Sequence, residues 1–278
     1  MSLKAKDFFA RELAKNDREI NLARAALLIS EHLNRLSDLS AYYLTLLDDM
    51  AQALRPAVIA AKTDEEVIET FNRYLFEELQ FHGNSENYYN PDNSFLNKVL
   101  ELRTGIPISL SVICLEIGWR LGLPLAGLGL PGHFVIGYNL PVAPVYIDVF
   151  NQGKILSEDD CLALGQVPLS ERLAFRDEFL QPASKKAILF RMLLNLKQIY
   201  LRLENWELAH RTIDLMLVVQ PHQTSEFRDR GVVAYRLNRL REAIFDIRRY
   251  LFFTPNAPDA NWLKQHLEMM EEKLSRLN

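Results

Sequence analysis

From residue 6 to residue 80 the apolar positions recur at helical spacing. Residues 20–36 carry one such stripe and residues 41–54 another, separated by Ser37-Asp-Leu-Ser40, and Pro56 marks the expected start of a new element. Thr63-Asp-Glu-Glu66 has the form of a capping box ahead of a helix over 67–79, with Thr63 accepting from the backbone and Glu66 reaching back. The periodicity stops between His82 and Asn93, where the chain is polar and aromatic. A loop of this length either borders a site or is packed down by its own side chains, here Tyr88 and Tyr89. Pattern returns after Arg103: Pro107 suits a first helical turn, Ile113, Ile117 and Leu121 repeat every four residues, and Gly122 suits the stop. Residues 131–136 and 146–150 then read as short strands, the first carrying His133 and the second Asp148. Residues 153–157 read as the end of the sheet, and Ser157-Glu-Asp-Asp160 as the start of another helix.

The last third repeats itself. With an offset of 34 residues, Arg202 matches Arg236, Ala209 matches Ala243, Ile213 matches Ile247, Leu217 matches Leu251 and Pro221 matches Pro255. Small residues where paired helices touch, and a proline closing each unit, are the tetratricopeptide signature. Tyr200 and Gly231 fit further positions of that motif. Two repeats are fewer than the usual minimum of about three, so a final helix over 258–277 is expected to cap one end and the first domain the other. The best linker, 180–186, gives domains of 1–184 and 185–278.

Charge supports that division. The net charge of −4 combines 16 Lys+Arg against 25 Asp+Glu in residues 1–184 with 16 against 11 in residues 185–278. The basic excess is too thin for a nucleic-acid-binding stripe. No apolar run approaches the ~18 residues of a membrane span, and the first residues lack a signal-peptide block, so a cytoplasmic location is expected. Cys114 and Cys161 are the only cysteines, too few for a disulfide framework and without metal-ligand spacing. His82 has no partner at ligand spacing, and the glycines of 127–132 lack the strand-to-helix context of a phosphate loop, so no cofactor is expected.

Several stretches together resemble one family. Tyr88-Tyr-Asn-Pro-Asp-Asn-Ser-Phe-Leu96, Gly105-Ile-Pro-Ile-Ser-Leu-Ser111, Gly122-Leu-Pro-Leu125, Pro131-Gly-His-Phe134 and Asp148-Val-Phe-Asn-Gln-Gly153 are similar to the SirB-type family of bacterial proteins, over roughly residues 20–255. The resemblance implies an α+β fold: a helix-rich papain- or transglutaminase-like core with a small antiparallel sheet, followed by an all-α tetratricopeptide-like domain. It also implies a possible regulatory role in bacteria.

In that superfamily an active member needs a cysteine at the start of the central helix, where the helix dipole and an imidazolium stabilise the thiolate. A His takes its proton and an Asp orients the ring. His133 and Asp148 match two positions, and Asp148 is expected to hydrogen-bond the His133 ring with the helix N-terminus facing them. The third position fails: one alignment puts Pro107 there, and a shift of two residues puts Ser109. Cys114 lies one to two turns deeper among apolar residues and reads as a core hydrophobe, and Cys161 is given no role. Ser109 either reacts in the cysteine's place or, with Ser111, serves the helix's first turn. Three functions follow. The leading one is a non-catalytic protein–protein interaction protein, a pseudoenzyme with a regulatory or scaffolding task. The others are a serine-dependent acyl-transfer or hydrolytic enzyme using Ser109, His133 and Asp148, and a small-ligand binder using the old cleft. For the partner, first-helix positions Arg191, Gln198 and Arg202 in one repeat, and Arg228, Tyr235 and Arg236 in the next, are expected to line a groove for an acidic segment. The acidic first domain is the competing occupant.

Overall fold

The computed structural model describes residues 2–139 and 144–276, and side-chain detail begins at Lys4. It divides into two compact units, Met1–Met192 and Leu193–Asn278.

The first unit opens with α1 (Ser2–Leu13), α2 (Leu22–Asn34), α3 (Leu39–Ala60) and α4 (Asp64–Asn72). Helix α2 is capped by Asn21, whose side chain accepts from Arg24 N, and its residues 22–33 are buried apart from Arg24. Pro56 does not start an element; it lies inside α3. A proline removes only its own N–H from the ladder, and the helix runs one more turn until Ala61 N bonds Ala57 O at 3.2 Å. At α4, Thr63 Oγ1 accepts from Glu66 N as expected, while Glu66 Oε2 reaches back one residue further, to Lys62 N at 2.6 Å. The helix widens into a π turn over Arg73–Glu78. Then β1 (His82–Gly83) pairs in parallel with β2 (Thr104–Gly105), on either side of α5 (Leu96–Leu102).

Helix α6 (Pro107–Leu121) is the centre of this unit. Pro107 sits in its first turn, and Gly122, at φ +81°, closes it in the left-handed conformation that glycine adopts without penalty. Residues 107–118 are all buried, because α2, α3 and α5 pack around the helix and the sheet lies along it. That sheet is antiparallel, in the order β3 (Leu125–Leu128), β4 (Val135–Tyr138), β5 (Val145–Asp148) and β6 (Lys154–Leu156). Through Leu128, Val135, Tyr146 and Leu156 it packs on Cys161, Leu162 and Phe175 from α7 (Glu158–Leu164) and α8 (Arg172–Phe179). Helix α7 begins with the expected box, Ser157 Oγ accepting from Asp160 N and Asp160 Oδ2 accepting from Ser157 N.

Helix α9 (Lys185–Arg202) begins in the first unit. Asp17 caps it, accepting from Lys185 N at 3.1 Å and Lys186 N at 3.3 Å, and Lys185 Nζ donates to Ile20 O at 2.6 Å. These ties carry the first unit to Met192, eight residues past the boundary expected at 184.

The second unit continues with α10 (Trp206–Val219), α11 (Thr224–Arg236), α12 (Leu240–Phe253) and α13 (Ala260–Ser275). Ala209 and Ala243, the small residues of the 34-residue repeat, have no exposed surface. Buried ions also join these helices. Lys197 Nζ donates to both Glu226 oxygens at 2.8 Å and to Asp229 at 2.9 Å, and Arg230 bridges Asp246 and Asp214. The last helix was expected to reach Leu277, which lies outside the described residues.

Candidate functional site

The β4–β5 pairing sets Ile136 opposite Ile147, and continuing that register brings His133 opposite Phe150, diagonal to Asp148. His133 is not on a strand, as the pattern suggested; it lies between the Pro131-Gly132 turn and β4. Its Nε2 lies 3.0 Å from Asp148 Oδ1. Asp148 is 1% exposed and also accepts from Phe150 N, Asn151 N and Asn151 Nδ2. Burial alone would push its pKa up, but the hydrogen bonds from His133 and Asn151 win and hold it below the ordinary carboxylate range. An ionised Asp148 can only accept, so His133 Nε2 carries a proton toward it. In the neutral ring that leaves Nδ1 as the basic nitrogen. The pair is thus arranged as a general base with its orienting acid, and the question is what it could act on.

Ser109 is the sequence candidate, and it is otherwise engaged. Its side chain has 0% exposure. Its Oγ donates to Asn93 O at 2.6 Å and lies 3.1 Å from Ile106 O, and it accepts from Ile106 N at 3.1 Å. All three partners are main-chain groups, two of them on Ile106 at the start of α6 and the third on Asn93 of the loop. Ser111 is equally buried, and its Oγ has no hydrogen-bond partner among the described residues.

The 82–93 loop is fastened to the same helix start by Asn93, a residue the sequence reading passed over. Asn93 Nδ2 donates to Asn87 O and Tyr88 O, its Oδ1 accepts from Asn84 Nδ2, and its carbonyl accepts from Ser109 Oγ. The loop in turn carries Tyr88 to Phe150, with ring centroids 6.0 Å apart, and Phe150 stands edge-on to His133 at 6.3 Å. Glycine is needed at 83 because a side chain there would run into the Phe150 ring. Phe150, Tyr88 and Gly83 thus connect the dyad to the β1–β2 pair beside the start of α6.

Arg191, expected in the repeat groove, belongs to this site instead. Its guanidinium donates to Leu130 O at 2.8 Å and to His133 O at 2.6 Å and lies over the Phe134 ring. The α9 turn that holds it is packed in the first unit, so it clamps the His133 turn. Neither cysteine offers a thiolate. Burial pushes the Cys114 thiol far up, and burial together with the charges of Asp160, Asp148 and Glu158 pushes Cys161 up to about 12.

Among the remaining groove residues, Gln198, Arg202, Tyr235 and Arg236 are exposed, Arg236 lying over the Trp206 ring. Arg228 departs from the expected row of available guanidiniums, since it is paired with Asp229 and with Asp259 at 3.2 Å.

Residues 41–194 match the transglutaminase-like superfamily and residues 196–268 match the tetratricopeptide repeat. The chain is thus a transglutaminase-like core followed by tetratricopeptide repeats. A UPF0162 protein of Xylella fastidiosa (strain Temecula1) is 35% identical over 259 residues, covering 91% of this chain and 90% of that one. A UPF0162 protein of Vibrio cholerae is 33% identical over 80% of this chain and 83% of its own. Human F-box only protein 21 is 31% identical over 178 residues, 60% of this chain and 27% of its own. The chain belongs to the transglutaminase-like superfamily and, within it, to the UPF0162 proteins of SirB type.

Proposed function

We propose that this protein is a non-catalytic interaction protein: a transglutaminase-like core that keeps His133 and Asp148 without a nucleophile, joined to repeats that bind a partner. One observation carries this reading. The hydroxyl that a shifted alignment puts at the nucleophile position, Ser109 Oγ, is fully buried and committed to Asn93 O and the Ile106 main chain. A serine-dependent enzyme would have to break that turn to free it. The His–Asp pair then serves as a structural fastening of the β4–β5 hairpin, together with Asn151 and Arg191. No helix among the described residues is long and apolar enough to cross a membrane, which suits a regulatory or scaffolding protein of the cytoplasm.

Tetratricopeptide repeats generally mediate protein–protein interaction. The exposed Gln198, Arg202, Tyr235 and Arg236 are the groove positions assigned to an acidic segment; Arg191 and Arg228 are held in internal contacts, and Arg236 lies over the Trp206 ring. In affinity capture, S109A and H133A should retain the partner that the wild-type protein retains, and R202E/R236E should lose it with little change in melting temperature. Loss of capture in S109A or H133A with the fold intact would mean that the dyad region binds or reacts. Retention by R202E/R236E would move the partner to another surface.

A further inference from the structure

His210 stands where α10 meets α12 across the second unit. The residue is only 8% exposed, and its Nε2 has no hydrogen bond among the described residues. Glu242 Oε2 of α12 lies 3.2 Å from that nitrogen, outside hydrogen-bond geometry, on a side chain that is 56% exposed and therefore screened by water. The other charges around the ring are matched to one another. Asp214, one turn along α10, meets Arg230 of α11 at 2.6 Å, and Asp246 of α12 meets the same guanidinium at 2.7 Å. Arg239, just before α12, is paired with Glu207 of α10 at 2.7 Å. An open cleft of about 510 Å³ borders the ring, with Arg241 and Glu242 on its α12 wall.

We propose that His210 is an acid-sensitive latch between α10 and α12: the neutral ring packs in the seam, and the protonated ring leaves it for the cleft and the Glu242 carboxylate, which loosens the two helices. The cleft gives protons and water a way to the ring, and the carboxylate on its wall gives the cation a place to go. Within the seam a cation is disfavoured. Burial is the largest influence on the ring; Asp214 and Glu242 favour its charge, Arg239 and Arg230 oppose it, and together they hold His210 below the ordinary histidine range. The unfolded chain takes up this proton at about pH 6.5, before the folded chain does. Stability therefore starts to fall below about pH 6.5 and stops falling once the pH is below the folded value. Glu226 of α11 acts in the opposite direction, because burial raises its pKa and the folded chain binds its proton more readily. That contribution is common to the wild type and a His210 variant, so comparing the two removes it.

Titrating the full chain from pH 7.5 to 5 tests the latch by two readings. The NMR signal of the His210 ring should titrate with a midpoint below about 6.5. Amide exchange in α10 and α12, expressed as protection so that the intrinsic pH effect cancels, should weaken more in wild type than in H210Q. The difference at pH 5 should be at least about threefold, which is what half a pKa unit supplies. A midpoint at or above 6.5, or the same fall in protection in both proteins, would overturn the proposal. If H210Q does not fold, E242Q takes its place, changed at an exposed position. Without the carboxylate that receives the protonated ring, the His210 midpoint should move down, and an unmoved midpoint would overturn the proposal as well.

Discussion

Replacing Asn93 by alanine is the sharpest test of how the site region is built. The side chain makes three hydrogen bonds, at 2.7 Å to Asn87 O, 3.2 Å to Tyr88 O and 3.1 Å from Asn84 Nδ2. Each contributes roughly 1 kcal/mol net, and a buried partner left unpaired costs more than that, so N93A should destabilise the first unit by about 2–4 kcal/mol. The 82–93 loop is only partly buried, and water can reach some of the released groups, which favours the lower end. N93D is the informative companion. It keeps an acceptor for Asn84 but turns a carboxylate toward the carbonyls of Asn87 and Tyr88, so it should be at least as harmful. Urea unfolding gives the free energy, and hydrogen exchange over residues 82–93 gives its location. A loss under about 0.5 kcal/mol, within the range of an ordinary surface change, or unchanged exchange in the loop, would refute the idea that the Asn93 side chain holds the loop together.

Two further predictions follow from buried charge. Asp148 is held below its ordinary pKa in the folded chain, so its contribution to stability is present above the unfolded value of about 3.9 and is lost as pH falls through the folded one. D148N should therefore be less stable than wild type at pH 7 and show a shallower loss of stability below about pH 4; parallel pH profiles would contradict this. In the second unit, K197M leaves Glu226 buried without its cation and should cost about 3–5 kcal/mol, whereas K197M/E226L should recover most of that loss. Thermal melts of both variants check it, and equal loss in the two would mean that the pair is not the cause.

The parts of the fold legible in the sequence are those decided locally. Pro107 and Gly122 bracket α6 because a missing N–H and a left-handed residue each have one comfortable place at a helix end. Ser157 and Asp160 mark α7 for the same kind of reason, and the 34-residue repeat exposes the helix pairs around Ala209 and Ala243. What escaped is set by distant partners. Arg191 looks like a groove residue until the first turns of α9 are tied to Asp17 and Leu130, about 170 and 60 positions earlier in the chain. Arg228 looks available until Asp259 arrives from the loop before α13. Pro56 resembles a boundary, yet α3 continues through it to Ala60. At the site itself, His133 and Asp148 were readable as a pair. The commitment of Ser109 was one of two readings, and choosing between them takes Asn93 O, sixteen residues away.

Covalent labelling measures directly whether the His133–Asp148 pair has anything to activate. The full-length protein can be incubated with a fluorophosphonate and, separately, with an activated thioester, and its intact mass and peptides recorded against the H133A variant. We expect no adduct on Ser109, Cys114 or Cys161 while the protein is folded, and no difference between wild type and H133A. A stoichiometric adduct on Ser109 that disappears in H133A with the fold retained would contradict the non-catalytic reading and make this chain an enzyme.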